Sequence, residues 1–352
     1  MRRQLLLTGI FTALFFFLPL LALIGGPLDM QQPEPENASS QPSQVAEDPP
    51  PEQAAAASPQ PGTAPVVQEE ETFTLYDRGS GQLLTVDTQQ LVRGMLAAEM
   101  PPNFHPEALK AQAVAGHTYA SYLRRLKQSA QEEGPDLECD VANWQSYTTQ
   151  EAFYQRYGSL ADAYWDQICQ AADQVSAYLL TYEGQPILAA YCSMSNGWTE
   201  DAANVWSAGL PYLKPVESFG DTLAPDYETR AQFTPEELSQ ALQTAWPQIQ
   251  LAEDPAGWIE VAAQSDSGYV TQVRVGDLEV HGKELRTALG LRSSDFTVSY
   301  GDDGLFTFTV QGYGHGVGFS QYGADYMARQ GATFDEILSH YYPGSTLAMV
   351  AG

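Results

Sequence analysis

Positive charge is scarce in this chain. Its 352 residues include 16 lysines and arginines against 44 aspartates and glutamates, a formal charge of −28. A nucleic-acid reader needs a dense Lys/Arg footprint, so nucleic acid is excluded as a partner. General docking onto anionic lipid or wall-polymer surfaces is disfavoured for the same reason. Cysteine is also sparse. Cys139, Cys169 and Cys192 are too few for a disulfide framework, and leave either one pair with an odd thiol or three thiols. The five histidines are scattered, and no Cys/His pair has the short spacing of zinc ligands, so no metal is expected. No internal repeat is present. Apolar residues are plentiful, at 43% hydrophobic and 11% aromatic, enough for a sizeable core.

The amino end departs from this composition. Leu5 to Ile24 carries no charge. At about 1.5 Å per residue this run spans roughly 30 Å, the hydrocarbon thickness. Arg2 and Arg3 precede it, which keeps the N-terminus in the cytoplasm and sends the rest across. A cleaved signal peptide is the competing reading, but no small-x-small cleavage site is evident after Pro19. Residues 1–26 are therefore expected to be a transmembrane anchor. Residues 27–72 follow, rich in proline, glutamine and serine, with acidic charge only. Such a segment cannot bury enough apolar surface to offset ordering, and its prolines make it a semi-stiff tether. The payload, residues 73–352, is expected outside the cytoplasm, tethered to the cell membrane.

Within the payload, Phe73–Tyr76 and Leu83–Val86 flank Gly79-Ser80-Gly81 and read as a hairpin. Leu91, Met95, Leu96 and Ala98 recur at helical spacing until Pro101-Pro102 ends the helix. Pro106 opens a second helix running to about Lys127. Helix is expected over about 149–172. A hairpin follows at 177–191, and Thr234 caps a further helix. Strands near 258–263, 269–275, 296–300 and 305–310 surround a short helix at 282–289, and two helices close the chain. Strands and helices mix without regular alternation, so the predicted class is α+β, a two-lobed body in which residues 216–298 form an inserted lobe beside a cleft.

Three stretches carry chemistry. Glu99 ends a helix, where the dipole disfavours a carboxylate; apolar Met100 and Phe104 disfavour it further. Both effects raise its pKa, as a general acid near neutrality requires. The bland alternative is a solvated helix-end glutamate. Gly312-Tyr-Gly-His-Gly-Val-Gly318 places His315 among alternate glycines, which permit close backbone approach to a ligand. A plain turn competes, and no phosphate-loop Lys-Ser/Thr follows. Tyr191 to Glu200 offers hydroxyls, an amide and Trp198, a set suited to sugar recognition or simply to Ser/Thr turns. Cys192 has no evident base in the sequence.

Taken together, EMPPNFHPEALKAQAVAGHTYA, SMSNGWTEDAANVWSAGLPYLKPV, HGKELRTALGLRSSDF and GYGHGVGFSQYGADYMARQGATFDEILSHYYPG resemble the stage II sporulation protein D family, which includes amidase enhancers. These segments spread over nearly all of residues 73–350. The resemblance implies a lytic transglycosylase that cuts peptidoglycan glycan strands, preferably ones stripped of stem peptides, to 1,6-anhydroMurNAc ends, with no cofactor. It implies action in sporulation engulfment beside an amidase/endopeptidase and a membrane scaffold. It places the catalytic glutamate on Glu99. Lys110, His117, Gln145, Tyr147, Ser195, Thr199, Lys214 and His315 fall on family positions expected to bind substrate or support the site.

Two departures stand out. The family usually reads Ala-Ala-Arg-Thr where this chain has Ala115-Gly116-His117-Thr118, exchanging a permanent cation for a mostly neutral ring. Cys192 stands where histidine is common. Some members bind zinc near the position of Cys139, but the partner ligands are missing here. Two other functions compete with transglycosylase: a non-catalytic activator of a cell-wall amidase, and a glycan hydrolase that would need a second carboxylate such as Glu200 or Asp201.

Overall fold

In a computed structural model the described residues are 65–206 and 209–351. The expected anchor and most of the tether lie outside them. No helix among the described residues is long and apolar enough to cross a membrane. The class is α+β: helices and several short sheets.

The folded body starts earlier than composition suggests. Val66–Gln68 pairs in parallel with the final strand, Thr346–Ala351, which runs antiparallel to Tyr178–Tyr182. Gln185–Pro186 completes this four-stranded sheet. Next to Val66–Gln68, the Glu69 side chain is only 6% exposed: its carboxylate accepts from Ser121 Oγ and lies 2.9 Å from His117 Nε2. Burial alone would raise the Glu69 carboxyl, but these bonds and the nearby Arg124 charge hold it below its ordinary value. A tether defined by average composition misses two β-branched residues and one paired acid at its end.

A second sheet, in the order Gln82–Asp87, Thr72–Asp77, Leu137–Cys139, leads into helix Thr88–Glu99. Asp87 caps that helix in a reciprocal box with Gln90, and Met100 ends it in extended geometry before Pro101-Pro102. Leu91, Val92, Met95 and Leu96 are its buried stripe, and Arg93 ties it to helix Ala161–Val175 through Asp173 at 2.5 Å. Helix Pro106–Ala130 lies beside it, with Pro106 in its first turn and Gln131 closing it in left-handed geometry. The helix expected over 149–172 is broken by Gly158, at φ +53, into Gln150–Tyr157 and Ala161–Val175.

A separate apolar cluster gathers residues from Leu238 to Val310. It is built from strands Ile259–Gln264, Val270–Val275 and Leu278–Val280, from Glu228–Phe233, Asp295–Tyr300 and Phe306–Gln311, and from helices Pro235–Ala245 and Gly282–Leu289. Residue 298, the expected end of the inserted lobe, lies inside a strand whose partner runs to Gln311. Glu228–Phe233 escapes a reading by pattern, because only alternate residues are partly covered and none is fully buried.

Candidate active site

Glu99 sits at the last residue of its helix, partly exposed. Two donors reach its carboxylate: the Ser146 backbone N–H and the Tyr191 hydroxyl. Burial nevertheless dominates and raises its pKa from 4.5 to about 7, the two hydrogen bonds pulling the other way. The Tyr191 hydroxyl is itself pushed far up by burial and by Glu99, so it stays a neutral donor. Tyr119 stands beside both, 6.4 Å ring to ring from Tyr191, and its hydroxyl also rises through burial and the Glu99 charge. Gln321 Nε2 donates to the Glu99 main-chain oxygen at 3.0 Å, fixing the end of the helix.

A group whose folded pKa is raised makes the protein less stable as pH climbs from the unfolded to the folded value, because the native state holds the extra proton. Between about pH 4.5 and pH 7 the Glu99 carboxyl should therefore cost stability, by up to about 3 kcal/mol at pH 8. Glu99→Gln removes that cost. Denaturant unfolding should show the variant more stable than wild type at pH 8 and nearly equal at pH 4. Equal stability at both pH values would mean that Glu99 has an ordinary pKa.

The loop that presents the Ser146 N–H is strained. Trp144 and Ser146 adopt φ of +58 and +65, left-handed values that cost a non-glycine residue about 1 kcal/mol each. Surrounding contacts hold them there. Asp140 and Gln145 exchange backbone bonds at 3.0 Å, Arg156 lies 4.4 Å from the centre of the Trp144 ring, and Arg78 donates to the Gln145 side chain at 2.5 Å. Tyr147 then packs against Gly94 of the glutamate helix, and the Thr148 N–H bonds the Gly94 carbonyl at 3.1 Å. Gln145 and Tyr147 are thus buried supports on either side of the residue that touches Glu99. Ser146 itself was hidden between them in the sequence.

His315 reaches Glu99 through Tyr191. Its Nδ1 accepts from the Val317 N–H at 3.0 Å, which leaves Nε2–H for the Tyr191 carbonyl. Burial and the nearby Arg286 cation lower its pKa to about 3, so the ring is neutral throughout the physiological range. It holds Tyr191 in place and is no proton donor at neutral pH. The alternate glycines serve packing here. The Gly314 N–H goes to the Arg292 carbonyl, and a Cβ at Gly314 or Gly318 would lie 2.6 Å from Cys192 Cβ or 2.2 Å from the Ala190 oxygen. Both glycines have positive φ.

The other candidates are occupied within the fold. His117 is fully buried, with Nδ1 3.2 Å from the Tyr178 oxygen and Nε2 on Glu69, and offers a ligand no free atom. Its replacement of the family arginine is matched by this local acid. Ser195 is buried on Asp221, donating from Oγ at 2.6 Å and from N at 2.8 Å. Asp221 also accepts from Ser320 Oγ at 2.6 Å, and its pKa is raised by burial. Nothing in the sequence marks that buried acid. Buried Thr199 bonds the Lys214 oxygen and the Val216 N–H. Lys110 pairs with Glu107 at 2.7 Å, and the half-exposed Lys214 with Asp201 at 2.8 Å. Glu200 is buried under Ser265, Asn204 and the Asp201 N–H. Both acids proposed as a second carboxylate are thus already engaged. The three cysteines are free, and burial pushes the Cys192 thiol up to about 12, too high for a nucleophile.

Comparison with known proteins agrees with the motifs. A family model described as stage II sporulation protein matches residues 76–182. Stage II sporulation protein D of Bacillus amyloliquefaciens is 34% identical over 80% of both chains, and that of Bacillus subtilis (strain 168) 31% over 79% of both. The amidase enhancer of Bacillus subtilis is 28% identical over 73% of this chain and 40% of its own length. The matched region holds Glu99 and Ser146, and the chain belongs to the stage II sporulation protein D family.

Proposed function

We propose that this protein is a membrane-anchored lytic transglycosylase that cuts peptidoglycan glycan strands outside the cytoplasm during sporulation. The observation that carries the reading is a single carboxyl, Glu99, whose pKa of about 7 lets it give and take a proton near neutral pH.

Ordinary glycosidases use two carboxylates, one to protonate the leaving oxygen and one to activate water or attack. Transglycosylation needs only one. Glu99-COOH protonates the oxygen leaving MurNAc C1, and the C1–O bond breaks. The resulting carboxylate, held by Ser146 N–H and Tyr191 O–H, takes the proton of the C6 hydroxyl of the same sugar. That oxygen closes on C1, forming the 1,6-anhydro ring and restoring Glu99-COOH. The nucleophile belongs to the substrate, so proximity supplies much of the rate. Tyr191 and Ser146 set the balance: more donors would trap the carboxylate, and fewer would leave it unable to ionise.

The test is to incubate the full-length protein with peptide-free glycan strands and weigh the products by mass spectrometry. Anhydro ends support the reading. Reducing ends without anhydro rings would mean hydrolysis, and a second carboxylate. A second reading, a glycan-binding activator of a cell-wall amidase, is favoured by the amidase-enhancer relative. Under that reading strands remain uncut, and an added amidase works faster. An amidase/endopeptidase and a membrane scaffold are the partners we propose.

A further inference from the structure

The segment after helix Gly282–Leu289 carries Arg292. Gly290 ends the helix at φ +64, and the chain turns back so that the Arg292 carbonyl accepts from Gly314 N–H at 2.9 Å and Ser293 bridges Gly314. This clamps Arg292 against the loop that carries His315. Its guanidinium lies 4.4 Å from the centre of the Tyr313 ring. Its charge also acts on the Tyr322 hydroxyl, opposed there by Asp226 and Asp325.

Among the described residues the Arg292 side chain has no ion pair and no hydrogen bond, and its Nε is buried without a partner. The buried Nε is out of a ligand's reach, but the partly exposed guanidinium keeps its terminal Nη donors free of any protein partner, and these can take an incoming anion. Asp226 is exposed and makes no ion pair with it, and Asp325 is taken by Arg329 at 2.7 Å. Arg286, by contrast, is buried and donates to the Leu291 carbonyl.

The position also matters. Tyr322 follows Gln321, which bonds the Glu99 main chain, and its ring packs edge-on at 5.0 Å against Phe104, five residues beyond Glu99. Tyr313 lies two residues before His315, which holds Tyr191. Arg292, Tyr313, Tyr322 and Phe104 are all partly exposed. Together they offer ring faces and one guanidinium fork, linked to Glu99 through its main chain by Gln321 and through its carboxyl by Tyr191. Rings offer stacking to sugars, and a guanidinium fork matches a carboxylate bidentately.

We propose that Arg292 is the specificity residue of the glycan site and binds a carboxylate carried by the strand. This rests on the glycan reading above, but not on Glu99 chemistry. Two sources offer that group: the lactyl carboxylate of MurNAc, free only where the stem peptide is gone, and the carboxylates of the stem peptide itself. A charge-assisted bidentate contact implies at least about a tenfold affinity difference.

The test uses the full-length Glu99→Gln protein in detergent, so that binding is read without turnover. Three ligands are compared: peptide-free strands, the same strands with their carboxyls reduced to alcohols, and strands with stem peptides intact. Adding Arg292→Met should weaken binding of peptide-free strands at least about tenfold and leave reduced strands unchanged. Arg292→Lys, which keeps the charge, should recover part of the loss. A loss confined to peptide-bearing strands would support the carboxylate contact and assign it to the peptide. No loss on either carboxylate-bearing ligand, equal loss on reduced strands, or no glycan binding by the parent protein would overturn it. If the Glu99→Gln protein binds with this discrimination but the wild-type protein yields no anhydro ends, the transglycosylase reading falls and the Arg292 assignment stands.

Discussion

Glu99→Gln should reduce formation of anhydro ends about a thousandfold or more while leaving glycan affinity nearly unchanged. The amide keeps the shape of the carboxyl and can still accept from Ser146 N–H and Tyr191 O–H. What it cannot do is move a proton, and in this site one group moves both. General acid–base catalysis contributes about 10²–10⁴ in rate, and losing acid and base together places the variant in the upper part of that range or beyond it. Wild-type turnover should be greatest near pH 7, where acid and carboxylate forms are both populated, and fall on each side. Rates are read from the anhydro products over time. Turnover within about tenfold of wild type would remove Glu99 from the chemistry, since no engaged neighbour can take over: Glu200 and Asp201 are committed to other donors.

The second large effect is expected at a residue that touches no substrate. Gly94→Ala would place a Cβ 2.1 Å from Tyr147 Cε2 and 2.7 Å from the Thr148 carbonyl oxygen. The tyrosine ring could turn, but the backbone oxygen cannot, so the loop carrying Ser146 must retreat from the helix. Overpacking of this kind costs about 1–3 kcal/mol. Retreat also withdraws the Ser146 N–H, a bond that favours the charged carboxylate. The Glu99 pKa should rise above about 7, and the pH profile of turnover should shift alkaline with a fall in rate. Gly116→Ala is the control. Its Cβ would meet Met95 at 3.7 Å, an ordinary contact, and it should leave both melting temperature and profile near wild type. If Gly94→Ala behaves like Gly116→Ala, the loop is not the support described above.

Local pattern carried much of the architecture. The helix ending at Glu99 is announced by its apolar spacing and by Pro101-Pro102, and the helix after Pro106 by its first-turn proline. The α+β class follows from irregular alternation. Strands with weak patterns were lost: Val66–Gln68 inside an acidic stretch, Leu137–Cys139 with three residues, and Glu228–Phe233 with mostly polar ones. Each exists because a distant partner pairs with it, which no local window contains.

The site divides in the same way. Glu99 is legible because the end of a helix and apolar neighbours act locally on a carboxyl. The direction of its pKa shift follows from that, but its donors do not. Tyr191 and Ser146 come from a strand end and a strained loop, brought to Glu99 only by tertiary packing. Several motif positions identified by resemblance bond within the fold: Gln145 and Tyr147 brace a loop, Ser195 bonds Asp221, and His315 bonds Tyr191. Residues fixed by a family pattern can be there for the fold of a site as readily as for its ligand.

The central claim is that the fold keeps Glu99 protonated to near neutral pH, and the most direct measurement is the titration of that carboxyl. With ¹³C-labelled glutamate and Glu99→Gln to assign the signal, the side-chain carbon shift of Glu99 can be followed from pH 3 to pH 9. A midpoint near 7, clear of the other glutamates, is predicted. A midpoint near 4.5 would leave an ordinary carboxylate at the helix end and contradict the proton-transfer role assigned to it.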